Sequence, residues 1–142
     1  MSSVAPGLGE IDHVAIAVHD LDAAVAWYRD VLGADLAHRE EVESDGVEEA
    51  LLAVGDSYIQ LLAPSRDDSP VARFLARRGE GLHHVGYRVE DCGRALAAAV
   101  AAGAEAIDAA PRPGSRSTTV AFLHPRSAFG TLIELVEEGP RQ

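Results

Sequence analysis

The chain has 142 residues, 12 basic and 23 acidic, for a formal net charge of −11, which argues against non-specific binding to nucleic acid or an anionic membrane surface. Its single cysteine, Cys92, excludes an internal disulfide and a multi-cysteine zinc site, and suits a reducing, cytoplasmic setting. All 12 basic residues are arginine, so Schiff-base lysine chemistry and a Walker-type phosphate loop are excluded.

The opening MSSVAPGLG lacks the basic segment and apolar core of a secretory signal, and residues 1–9 are expected to form a flexible tail. Ile11–Val18 alternates as a strand. Asp20 then suits a helix N-cap; Leu21, Ala24, Val25, Tyr28 and Leu32 recur at helical spacing, and Gly33 suits a left-handed closing residue. Three strand-like runs follow, Asp35–Val42, Glu48–Val54 and Tyr58–Ala63, with turn residues at SDG and GDS. Ser69 and Pro70 open a short linking helix that runs to residue 78.

The second half repeats the first. Leu82–Val89 reads as a strand, Asp91 caps a helix carrying Cys92, Leu96, Ala99 and Val100, and Gly103 ends it. Strand-like runs at Glu105–Asp108, Ser117–Leu123 and Thr131–Val136 complete the unit. The caps Asp20 and Asp91 are separated by the same interval as His13 and His84, which marks an internal duplication. The expectation is an α+β domain over residues 10–139, built from two β-α-β-β-β modules (10–63 and 81–137) around a linking helix (69–78). No apolar run approaches the ~20 residues of a membrane span. The acidic excess lies in residues 1–63, whereas residues 64–142 are balanced.

Strand parity singles out candidate ligands. In IDHVAIAV, His13, Ala15 and Ala17 share one face, opposite Val14, Ile16 and Val18. In GLHHVGYRV, His84 and Gly86 share one face, opposite Val85, Tyr87 and Val89. The bulky faces suit packing under helices, and the small-residue faces leave room for something other than protein. His84 is therefore the candidate ligand, and His83 falls on the packing side. Gln60 in SYIQLLAP and Glu134 in TLIELVEE hold matching places in apolar runs, where an amide or carboxylate without a partner is costly. If the two sheets close around a shared cup, His13, Gln60, His84 and Glu134 supply nitrogen and oxygen donors for a divalent first-row metal. With one carboxylate among them the site keeps a charge of about +1, which favours an anionic, bidentate oxygen ligand.

The paired modules, this His/Gln/His/Glu set and the segments GLHHVGYRV and FLHP…LIELVE resemble the vicinal oxygen chelate (glyoxalase/bleomycin resistance) superfamily. Within it, the chain is most similar to the methylmalonyl-CoA epimerase family, from Ile11 to Glu137. The resemblance implies a cup-shaped, glyoxalase-like barrel and metal-dependent exchange of the (R) and (S) forms of methylmalonyl-CoA by proton abstraction at C2. It places the metal ligands on His13, Gln60, His84 and Glu134 and a catalytic glutamate on Glu49. Since inversion needs a group on each face of the substrate and the second module mirrors the first, Glu134 is the expected second acid–base group. Parity along VEEALLA puts Glu49 with Leu51 and Glu48 with Ala50 and Leu52, without saying which face is inward. The resemblance further implies a divalent ion (Co2+ first, with Mn2+, Zn2+, Ni2+ or Fe2+ as alternatives), an acyl-CoA thioester substrate and a homodimer. Arg73, Arg77, Arg78 and Arg116 are candidates to face the coenzyme A phosphates. One departure concerns substrate preference: where close members often have Gly-Ser-Arg before the strand leading to FLHP, that arginine has become Thr119, with Arg116 three places earlier. Tyr28 and Tyr87 read as structural, and His124 as ordering a loop.

Other chemistries fit the same scaffold. A glyoxalase-type isomerase is disfavoured by Gln60, where glyoxalases generally carry an acidic ligand. An extradiol dioxygenase needs neither Gln60 nor Glu49. A non-catalytic drug-binding protein would need an aromatic groove, and the chain holds only three Phe, three Tyr and one Trp.

Overall fold

Strand β1 (Ile11–Ala17) leads into α1 (Leu21–Leu32). The Asp20 carboxylate accepts from the Ala23 amide at 3.0 Å, and the helix closes through Gly33 at φ 68°. A left-handed residue there brings its own amide back to the last carbonyls, and glycine adopts it without a Cβ clash. Strands β2 (Asp35–Val42), β3 (Val47–Val54) and β4 (Ser57–Pro64) follow, then α2 (Pro70–Arg78), capped by Ser69. After β5 (Gly81–Arg88) come α3 (Cys92–Ala101), capped by Asp91, and β6 (Arg112–Pro113), β7 (Thr119–Leu123) and β8 (Ile133–Glu137). The computed structural model describes residues 6–140, so the first part of the expected tail, residues 1–5, lies outside the described residues.

The chain divides into two compact units, His13–His83 on one side and the residues up to Asp12 with those from His84 onward on the other. The division falls inside β1.

In the first unit the strands run in the order β2-β3-β4-β1, with β1 parallel to β4 and the other pairs antiparallel. Its sheet is covered on both faces. Ile16, Ala50, Leu52, Leu61 and Ala63 pack under α1 through Leu21, Ala24, Val25 and Tyr28. On the opposite face Ala15, Ala17, Val47 and Leu62 pack against Val71 and Leu75 of α2. Burial of each large aliphatic side chain contributes roughly 1.5–3 kcal/mol.

The second unit repeats the pairing, in the order β5-β8-β7-β6, with β5 parallel to β8 and β7 antiparallel to β8. Helix α3 covers one face, where Val89, Cys92, Ala95, Leu96, Ala121, Leu123 and Leu135 form the core. The helix ends one residue earlier than its glycine, with Ala102 as the C-cap. Residues 6–9 lie against this unit: the Gly9 amide donates to the Arg88 carbonyl at 2.8 Å, and Pro6, Gly7 and Leu8 line an apolar cavity of about 320 Å³ with Tyr87, Ala95 and Ala99.

The strand expected over Glu105–Asp108 is absent; a single bridge joins Ala106 to Leu123. The Asp108 carboxylate explains the break. It accepts from the Phe122 amide at 2.7 Å and pairs with Arg112 at 3.1 Å, so a side chain takes the place of the next ladder bond. No helix among the described residues is long and apolar enough to cross a membrane.

Candidate metal centre and its carboxylates

In the first unit, β1 and β4 bring together the residues with chemistry. Ala15 is the register partner of Gln60, so His13 and Gln60 project from the same face on neighbouring strands. Leu51 of β3 is the other partner of Gln60, which puts Glu49 on this face as well. Glu49, His13 and Gln60 are all buried, at 2, 4 and 8% exposure. Glu48, by contrast, points outward to Arg39 at 3.3 Å. The parity left open by the sequence is thus resolved, with Glu49 inside.

Gln60 Nε2 donates to Glu49 Oε2 at 3.1 Å. An ionised carboxylate only accepts, so this contact fixes which end of the amide faces Glu49. The other end, Gln60 Oε1, is buried and has no hydrogen-bond partner among the described residues. A buried carbonyl oxygen in that state costs free energy unless something electropositive sits against it.

In the second unit, Gly86 is the register partner of Glu134 and Phe122 is its partner on the other side, so His84, Glu134 and Phe122 share a face. His84 Nε2 lies 3.0 Å from Glu134 Oε1, and the His84 ring meets Phe122 edge-on at 5.2 Å between centroids. Both polar groups are buried. His83 turns away and packs edge-on against Phe74, 4.9 Å between centroids, as its parity requires. The His124 ring accepts from the Arg126 amide at 3.0 Å and holds the turn after β7.

Each unit thus holds buried groups of the kinds that ligate metals: His13 and Gln60 in the first, His84 and Glu134 in the second. Imidazole nitrogen, carboxylate oxygen and an amide oxygen such as Gln60 Oε1 are donors that suit a divalent first-row ion.

Of the arginines considered for coenzyme A, Arg116 is held by the Asp12 carboxylate at 2.8 Å. Arg73 donates to the Asp68 carbonyl at 2.7 Å, and the Arg78 guanidinium lies 5.9 Å from the Phe74 ring centre. Asp12, also buried, has a sequence signal of its own, a carboxylate inside the apolar strand IDHVAIAV beside His13.

Residues 12–122 match the model of the Glyoxalase/Bleomycin resistance protein/Dioxygenase superfamily, and the α+β architecture is that of its known structures. An ethylmalonyl-CoA/methylmalonyl-CoA epimerase from Cereibacter sphaeroides is 38% identical over 130 residues, covering 90% of this chain and 97% of its own. The crystal structure of methylmalonyl-CoA epimerase from Mycobacterium tuberculosis superposes with a TM-score of 0.90 at 41% identity, covering 94% of this chain and 90% of its own. A Streptomyces coelicolor methylmalonyl-CoA epimerase in complex with 2-nitronate-propionyl-CoA gives a TM-score of 0.90 at 40% identity, covering 94% of this chain and all of its own, 100%. The chain belongs to this superfamily and, within it, to the methylmalonyl-CoA epimerase family of isomerases.

Proposed function

We propose that this protein interconverts the (R) and (S) epimers at C2 of methylmalonyl-CoA by proton transfer, with Glu49 and Glu134 as the acid–base groups. The observation that carries the reading is the buried Glu49–Gln60 pair, in which Gln60 Oε1 has no hydrogen-bond partner among the described residues. It gives a carboxylate held by a neutral donor beside an oxygen suited to a cation.

The physical difficulty of the reaction is charge. The C2 proton sits between a thioester and a carboxylate, and the carboxylate opposes formation of a carbanion beside it. His13, Gln60, His84 and Glu134 would hold a divalent ion, with Co2+ the first to test. When bound, such an ion supplies positive charge that offsets the negative charge developing on the substrate oxygens. Gln60 keeps Glu49 oriented by donating to one of its oxygens, and the carboxylate is the group that takes the proton. Burial keeps bulk water from competing for that proton. Glu134, buried beside His84 on the same face, serves the second proton transfer from its own strand. Removing a proton from one face and returning one to the other needs two groups, and one fixed carboxylate reaches only one face well.

The acyl-CoA substrate and a homodimeric assembly belong to the same reading. The coenzyme A phosphates fall to the arginines of α2, since Arg116 is engaged by Asp12. Charge reversal at Arg73, Arg77 or Arg78 is expected to raise KM for the thioester more than it lowers kcat. The direct test is proton exchange at C2 in deuterated buffer. Methylmalonyl-CoA should gain deuterium and lose its stereochemical purity; no exchange and no inversion in metal-supplemented protein would reject the reading.

A further inference from the structure

Asp12 is completely buried, at 0% exposure, and the epimerisation does not use it. Each of its carboxylate oxygens meets one guanidinium: Arg88 Nε reaches Oδ1 at 2.8 Å and Arg116 Nη2 reaches Oδ2 at 2.8 Å. Arg88 is also paired with Glu10 at 3.1 Å. Such a network is an expensive way to fill space. Buried ion pairs lose most of their Coulomb gain to desolvation, and an apolar residue in their place is often no less stable.

The chain also accepts backbone strain to complete the network. Arg116 and the following Ser117 both adopt left-handed conformations, at φ 54° and 59°, in a short turn between Gly114 and Thr118. Non-glycine residues rarely adopt this region, and two in succession persist only where the surroundings over-determine them. The turn is closed around its glycine: a Cβ on Gly114 would come within 2.6 Å of Thr118 Oγ1. Its effect is to return the Arg116 side chain to Asp12, 104 positions away in sequence.

Asp12 is bonded directly to His13, and successive strand residues project to opposite faces. A carboxylate clamped on one face therefore fixes the peptide that aims the imidazole on the other. We infer that Asp12, held by Arg88 and Arg116, is a positioning residue for His13, with the left-handed turn at Arg116–Ser117 as the device that completes the clamp. The inference rests on the reading of His13 as a metal ligand. Groups hydrogen-bonded directly to a metal ligand typically contribute 10- to 100-fold to metal affinity, and a clamp acting through the backbone is expected at the lower end of that range.

The test is a Co2+ titration of the full chain, reading both affinity and the visible ligand-field spectrum, at a temperature where circular dichroism shows each variant folded. Wild type, His13→Ala, Asp12→Asn, Arg116→Met and Leu96→Ala are compared. Asp12→Asn and Arg116→Met should each bind Co2+ about 10-fold or more weakly with an altered spectrum, and Arg116→Lys should recover part of the loss. Leu96→Ala, which opens the α3 core, should lower the melting temperature and leave both readouts unchanged. If Asp12→Asn does not fold, the Arg116 variants decide. Wild-type affinity and spectrum in the Asp12 or Arg116 variants, with His13→Ala defective, would overturn the positioning role alone. A wild type that takes up no Co2+, or a His13→Ala that binds normally, would remove the metal reading and this inference with it.

Discussion

Gln60 gives its amide hydrogen to Glu49 across 3.1 Å and keeps its carbonyl oxygen buried with no hydrogen-bond partner among the described residues. On the proposed reading, one side chain serves two purposes, orienting a carboxylate and presenting an oxygen donor. A glutamate in its place would keep an oxygen for the ion and lose the donor to Glu49. Gln60→Glu is expected to retain Co2+ binding while kcat falls by roughly 100-fold, because two carboxylates at this distance share a proton and Glu49 is no longer free to take one. Calorimetric titration alongside steady-state kinetics checks the split.

The adjacent histidines offer a sharp contrast. His84 faces Glu134 and His83 packs on Phe74. His84→Ala should lose the bound divalent ion and its activity, whereas His83→Ala should keep both and lose only packing, worth about 1 kcal/mol for an edge-on aromatic contact. Metal content by elemental analysis after gel filtration distinguishes them. Full metal in His84→Ala would refute the assignment of faces.

Much of this was legible in the sequence because period-2 alternation carries the argument. Parity assigned His13 and His84 to the small-residue faces, and the capping residues Asp20, Ser69 and Asp91 stand where their side chains accept from the first helical turn. What parity lacks is an origin. It grouped Glu49 with Leu51, but the inward face is set by the pairing of β3 with β4, a tertiary fact. The lost strand at 105–108 failed for a different reason, since Asp108 satisfies the Phe122 amide with a side chain, an option that strand propensity does not count. Asp12 was illegible because its partner Arg116 is distant in sequence and reaches it through a left-handed turn that no local pattern announces.

Cys92 gives a pH prediction. Burial, reinforced by the nearby Glu137 carboxylate, pushes its thiol up to about 11 from an ordinary value of 9.0. A thiol whose folded value is raised contributes stability that is present in full below its unfolded value and lost as pH rises through the folded one. The native protein should therefore resist thiol reagents at pH 8 and react at one site per chain once unfolded in urea. Its urea midpoint should decline between about pH 9 and pH 11, and Cys92→Ala should flatten that decline. Rapid labelling of the native protein at pH 8 would contradict the burial.

The central claim is that two glutamates pass the C2 proton from face to face, and isotope exchange in a single variant tests it. Each pure epimer of methylmalonyl-CoA is incubated in deuterated water with Glu49→Gln, and inversion and deuterium incorporation are followed separately. A two-base site predicts that inversion falls by roughly 100-fold or more, while exchange without inversion survives from the epimer that presents its proton to Glu134. Near-normal inversion by Glu49→Gln would contradict it and turn attention to Glu48, whose carboxylate faces Arg39 on the outer side of the same strand.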